Sequence, residues 1–302
     1  MTATSSLPTS RSMTTGRRRS LTSVLLTLPA WLMIVALIMV PIAVGFYLSL
    51  RNEKIGGFVE PQYVGFDNYQ TEIANKVFWE AALTTVKIMI LGLAIQLPIG
   101  IGLALLLHQN LKGTRLFRSA LLIPMLLTPV AVGLMWRFMY DGDLGVINWL
   151  LETAGLGRIQ WLGDDLAALF AVVLVDSWQS IPFVMLLTLA GLAGLPTSPL
   201  EAAKVDGAGP WQVFWLVILP MLRPVIGVIL IIRVIDTYKL FDAIFILTRG
   251  GPGTATQTLG ILNYNTGFNF LATSRAAAIG IALTVITIPL YLLWAKAARG
   301  QR

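Results

Sequence analysis

The chain contains no cysteine. Disulfides, thiol nucleophiles and cysteine-based metal sites are thereby excluded, and the redox compartment cannot be read from thiol usage. There is a single histidine, His108, so a histidine-based zinc site or catalytic triad has no partners to draw on. No Gly-x-x-x-x-Gly-Lys-Ser/Thr phosphate loop occurs; Lys112-Gly113-Thr114 has the wrong order and no preceding glycine, so the chain lacks the means to bind ATP in that way. No convincing catalytic pair is present, which argues against a membrane-embedded hydrolase or glycosyl transferase. Charge is scarce as well. Asp, Glu, Lys and Arg make up 12% of the 302 residues, against about 25% in an average soluble domain. A soluble globule of this size would lack the polar surface to cover itself.

Hydrophobic residues make up 56% of the chain and fall in long runs: Leu21–Leu50, Ile88–Leu107, Ser119–Trp136, Leu166–Leu195, Pro224–Leu247 and Ala276–Ala295. About 20 apolar residues cross a bilayer as a helix. With apolar shoulders, the runs predict spans at about 21–50, 84–107, 118–138, 166–193, 224–247 and 276–296. The fold class is all-α, a polytopic membrane bundle of six transmembrane helices. Residues 1–20 read as a disordered basic tail and 297–302 as a second tail. The first run is too long for a signal-peptide core of roughly 7–15 residues and is expected to be retained. No fixed-period repeat and no separate soluble domain is visible.

Basic residues orient the bundle. Twelve Lys and Arg lie on the side of the termini, among them Arg17, Arg18, Arg19, Lys112, Arg115, Arg118, Lys204 and Arg223. Six lie opposite: Arg51, Lys54, Lys76, Arg158, Arg249 and Arg275. Positive residues favour the cytoplasmic side, which puts both termini inside. The net charge of +7 is thus a topology signal and not a sign of nucleic-acid binding.

The longest cytoplasmic connection, 194–223, reads as two short helices around a sharp turn. Ser198 is placed to cap the first, with Pro199 at its first position and Glu201 at its third. Gly207 and Gly209 free the backbone to reverse. Pro210 starts the second helix, on which Trp211, Phe214, Trp215 and Ile218 recur at helical spacing. Composition alone also allows an ordinary interfacial helix lying among headgroups.

The residues of this loop carry a resemblance. Glu201-Ala202-Ala203, then Gly207, Val217 and Leu219-Pro220 at fixed spacing resemble the EAA loop of binding-protein-dependent ABC importer permeases, with Val217 where the family usually has Ile. Leu247-Thr248-Arg249-Gly250-Gly251-Pro252 looks like the Gly-Gly-Pro segment of carbohydrate-type permeases, and Asn68-Tyr69 also fits. Within such systems the chain resembles the first of two unlike permease subunits. The resemblance implies a type I ABC importer permease fold in a bacterial or archaeal cell membrane. The implied partners are membrane lipid, a second unlike permease, two ABC ATPases and an extracytoplasmic substrate-binding protein. ATP and Mg²⁺ would be bound by the ATPases and no cofactor by this chain. Glu201, Ala202, Ala203, Asp206 and Gly207 would form the coupling knob that docks on an ATPase and drives alternating access.

Ionisable residues inside spans point to function. Arg233, Asp236, Thr237 and Leu240 are spaced to share a face of the fifth span, and Asp176, Ser180 and Phe183 a face of the fourth. In permeases of this type the sugar sits between the corresponding helices, so these seven are the expected substrate path, facing a polar cavity, with Ile229 turned to lipid. The alternative is a structural ion pair, Arg233 with Asp236 or with Asp176. A secondary transporter driven by an ion gradient through the carboxylates is the competing function; the inverted repeats typical of that class are not visible.

Overall fold

The computed structural model describes residues 15–54, 56, 60–109 and 112–299. The described residues form helices joined by turns and one isolated bridge, Arg51 with Tyr63. The expected tail at 1–14 and residues 300–302 lie outside them. Helix α1 (Thr15–Ser49) takes in residues 15–20, which had been expected as tail. Arg17, Arg18 and Arg19 are good helix formers and nothing between them and Leu21 breaks the helix.

Beyond the end of α1, Arg51 bridges to Tyr63, and α2 (Asp67–Ala74) follows. Asn68 Nδ2 donates to the carbonyls of Ser49 and Arg51 at 2.8 and 2.7 Å, and the Tyr69 and Ser49 hydroxyls lie 2.7 Å apart. Asn68 therefore satisfies carbonyls at and just beyond the end of α1, while Tyr69 holds the Ser49 side chain.

Helices α3 (Lys76–His108) and α7 (Asp165–Ala193) form the central pair. Asn75 caps the first and Asp164 the second, each accepting from N–H groups of the first turn. Gly100 lets them approach; a Cβ there would lie 2.5 Å from Val184 Cγ1.

The predicted third span is not a straight helix. Helices α4 (Thr114–Leu126) and α5 (Pro129–Met139) meet at 97°. Pro129 disfavours helical geometry at the residue before it, and both Leu127 and Thr128 are extended. The Leu127 carbonyl freed by the break accepts from Gln179 Nε2 at 2.9 Å, which makes an interrupted helix tolerable at membrane depth. The short α6 (Val146–Thr153) follows α5.

The predicted fifth span, 224–247, is displaced. Helix runs continuously over Pro210–Tyr238, as α9 (Pro210–Val213), a π-turn at Phe214–Ile218 and α10 (Leu219–Tyr238). After a break, α11 (Asp242–Leu247) packs against α5, where a Cβ on Gly133 would meet Ile246 at 2.9 Å. The break falls in the charged stretch Asp236–Asp242, where hydropathy drops, and the apolar segments on either side are what made the run read as one span. Helix α12 (Leu259–Tyr264) and α13 (Thr273–Arg299) are the last of the described helices, with α13 lying along α1.

Among the described residues, four helices are long and apolar enough to cross a membrane, and the bent pair makes a fifth if counted as one span. Two apolar clusters bracket the bundle centre. One gathers Ile88, Val172 and Ile244; the other gathers Ala104, Met185 and Leu222.

Candidate functional site

Between those clusters lies a buried polar group. On α3, Gln96 sits eight residues from both Ile88 and Ala104, about 12 Å at 1.5 Å per residue. Arg233 Nη2 donates to both carboxylate oxygens of Asp176, at 3.1 and 2.9 Å. Arg233 Nε donates to Gln96 Oε1 at 2.9 Å, and Gln96 Nε2 donates to Asp176 Oδ2 at 2.7 Å. The three side chains, from α10, α7 and α3, close a ring of hydrogen bonds; Gln96, Asp176 and Arg233 are 0%, 6% and 5% exposed. Ser180 Oγ donates to Asp176 Oδ1 at 3.4 Å and Arg233 Nη2 reaches Thr237 Oγ1 at 3.3 Å. Gly92 leaves room for the ring, since a Cβ there would stand 3.1 Å from Gln96 Nε2.

Asp176, Ser180, Arg233 and Thr237 are thus brought together, as their spacing predicts. Both the expected ion pair and the expected inward face are present, but these four groups are buried against one another. Asp236 lies at the margin, with its carboxylate 3.5 Å from Arg233 Nη1 and its side chain 53% exposed. Phe183 is half-buried one turn beyond Ser180. Leu240 departs from the expected face: the helix has ended at Tyr238, and Leu240 packs on the cluster around Val172 and Ile244. Ile229, expected to face lipid, is buried. Gln96 was missed. Its signal was there, as the one amide in the run Ile88–Leu107.

The loop after α7 holds one short helix and a sharp turn, but the expected second short helix is the start of the long helix Pro210–Tyr238. Helix α8 (Ser198–Val205) is preceded by Thr197 at the cap position, not Ser198, and no side chain caps it; the Glu201 N–H bonds the Thr197 carbonyl at 2.9 Å. At its end the Ala208 N–H returns to the Ala203 carbonyl at 2.9 Å and Gly207 takes φ +75°, the left-handed closure that suits glycine. Gly209 is extended at φ −69°, so its freedom is not needed for the reversal; its N–H is held by Gln212 Oε1 at 2.9 Å. Glu201, Ala202, Asp206 and Gly207 are exposed and Ala203 is half-buried. Val205 and Trp211 stand 87% and 72% exposed, an apolar surface beside the turn.

On the far side of the bundle, the Gly250-Gly251 turn is closed by its neighbours. Thr256 Oγ1 donates to the Gly251 carbonyl at 2.8 Å, and Gly250 N–H bonds Thr248 Oγ1 at 3.2 Å. Gly250, at φ +95°, also lies under Ile261. Among the described residues no group of three acidic or histidine side chains is placed to hold a metal ion.

The chain resembles known proteins over most of its length. Residues 96–299 match the family described as binding-protein-dependent transport system inner membrane component. The trehalose/maltose transport system permease protein MalF of Thermococcus litoralis is 34% identical over 92% of this chain and 94% of its own length. The trehalose transport system permease protein SugA of Mycobacterium tuberculosis is 33% identical over 91% of this chain and 89% of its own. Among solved structures, a chain of a bacterial ABC transporter that imports the acidic polysaccharide alginate superposes with TM-score 0.79, covering 94% of this chain and 96% of that one, at 24% identity.

Proposed function

The chain belongs to the family of binding-protein-dependent transport system inner membrane components, and from that membership we propose that it carries a sugar or related carbohydrate across the membrane as a permease subunit of an ATP-driven ABC importer. It is not an enzyme; ATP hydrolysis lies in partner ATPase subunits, and a substrate-binding protein delivers the cargo. The carbohydrate reading is supported by the relatives' transport of trehalose and maltose.

The observation that carries the mechanism is the exposed, glycine-closed turn at Glu201–Gly207, which stands at the foot of the rod Pro210–Tyr238. The same rod bears Arg233 and Thr237. A force applied to the knob by a closing ATPase pair is therefore transmitted along one helix to the buried polar ring. We take six spans, both termini in the cytoplasm, ATP and Mg²⁺ held by the ATPases, and a second, unlike permease completing the pore. Asp176, Ser180, Phe183, Arg233, Asp236 and Thr237, with Gln96 added, form this chain's side of the route. Hydroxyl-rich cargo suits the route because each buried donor and acceptor there has a hydrogen-bonding alternative to offer when the helices part.

The test is uptake of labelled trehalose and maltose by vesicles holding the tagged chain with whatever co-purifies. Uptake that needs internal ATP, survives ionophores and comes with two permeases and two ATPases is the expected result. Uptake driven by an ion gradient alone, or full activity with this chain as the only membrane component, refutes the reading.

A further inference from the structure

One side of the bundle holds a cleft that the transport reading leaves unused. It opens where α3 and α7 end and α4 begins, with a volume of about 440 Å³. Its wall carries three basic side chains, His108, Arg115 and Arg118, and its floor is Leu107, Leu189 and Ala193. No lining residue among those described is acidic. Arg115 and Arg118 are three residues apart on α4 and so share a face. Both are exposed, and among the described residues neither forms an ion pair, whereas Arg158, Arg233 and Arg275 each sit on a carboxylate.

We infer that this cleft binds the headgroup of an anionic phospholipid. The ends of three apolar helices define the level at which a bilayer's headgroups lie. Two unpaired guanidinium groups offer forked N–H donors, the geometry that suits the oxygens of a phosphodiester. Basic pockets between transmembrane helices are the usual receptors for such headgroups. The apolar lining of Leu107, Leu189 and Ala193 favours a lipid over a free phosphate, because it gives the acyl chains a surface to follow. A lipid seated there would tie together the three helix ends.

The importer, purified whole in mild detergent through a tag on this chain, can be titrated with phosphatidylglycerol and with phosphatidylcholine and read by native mass spectrometry. Phosphatidylglycerol should be retained about tenfold more strongly than phosphatidylcholine. Arg115→Gln with Arg118→Gln should abolish that preference, and Lys112→Gln, whose side chain does not line the cleft, should keep it. Thermal stability of the wild-type complex supplies a readout that needs no variant: phosphatidylglycerol should raise it above phosphatidylcholine, and salt should erase the difference. Equal retention of the two lipids by the wild type, or an unchanged preference in the double variant, overturns the proposal. So does displacement of phosphatidylglycerol by millimolar inorganic phosphate alone, which would make the cleft a simple anion site.

Discussion

Arg233 on α10 grips Asp176 on α7 with one nitrogen on both carboxylate oxygens, at 3.1 and 2.9 Å. The pair is buried, and each partner's remaining capacity is met in part by Gln96. Removing one member of such a pair leaves an uncompensated charge, which costs about 3–5 kcal/mol, while replacing both is often close to neutral. Arg233→Met and Asp176→Leu should each lower the melting temperature of the complex sharply, and the double variant should recover most of the loss. If the double variant is no better than the singles, the ring is not held by this pair. If it recovers stability together with full uptake, the ring is scaffold and the cargo passes elsewhere.

The route itself is tested by uncharged changes. Thr237→Ala and Phe183→Ala should weaken uptake at limiting sugar several-fold and leave assembly intact. The matched control is Ile90, which is exposed on α3; Ile229 is unsuitable because it is buried. Uptake rates for both variants equal to that of Ile90→Ala would place the sugar path away from these residues.

The knob makes a separate prediction. Gly207 holds φ +75°, which proline cannot adopt, and Glu201 is exposed for a polar contact. Gly207→Pro and Glu201→Lys should insert and assemble but transport poorly, with ATP hydrolysis no longer stimulated by sugar-loaded binding protein. Wild-type uptake and stimulated hydrolysis in both variants would remove the loop from the coupling mechanism.

Close approach of α3 and α7 depends on Gly100. An added Cβ would meet Val184 Cγ1 at 2.5 Å and the Met185 backbone nitrogen at 3.2 Å. Gly100→Ala should destabilise the complex by roughly 1–3 kcal/mol through overpacking. Val184→Ala, introduced in the same chain, should restore part of the loss. A melting curve for Gly100→Ala that overlays the wild type would show that the two helices can move apart freely.

Acid should act through the loop after α5. The Asp141 carboxylate accepts from the N–H groups of Leu144 and Asp143 at 2.9 and 3.0 Å, and these bonds hold its pKa below the usual carboxylate value. With the folded value below the unfolded one, its contribution is present above the ordinary carboxylate range and is lost as pH falls through the folded pKa. Asp141→Asn keeps an acceptor without the charge. The melting temperature of the wild type should therefore fall relative to Asp141→Asn between roughly pH 5 and pH 3; parallel curves would mean that this carboxylate does not stabilise the loop.

How far the site was legible in the sequence differs residue by residue. Asp176, Ser180, Arg233 and Thr237 stood out because charge and hydroxyls are rare in apolar runs, and helical spacing put each pair on one face. Leu240 was assigned to the same face by the same spacing, but the helix stops two residues earlier. The cluster of Asp236, Lys239 and Asp242 coincides with that stop, but charge alone does not end a helix, and the stop goes with the packing of α11 on α5. Gln96 went unread because one uncharged amide leaves its run apolar enough to read as a span; its importance lies in partners that are 80, 81 and 137 residues away.

By itself, the sequence determined the apolar periodicity, the scarcity of charge, the glycine-closed loop at Glu201–Gly207 and the family to which these belong. Each is local: a run long enough to cross a bilayer, a turn that only glycine closes easily, a motif at fixed spacing. Tertiary structure alone decided which polar groups inside the bundle meet, how the segments on either side of each break pack, and which basic residues share a cleft. Those outcomes depend on how the helices approach one another. Small residues such as Gly92 and Gly100 admit a neighbour, and a buried charge draws in any partner within reach, because leaving it unpaired costs more than any local preference.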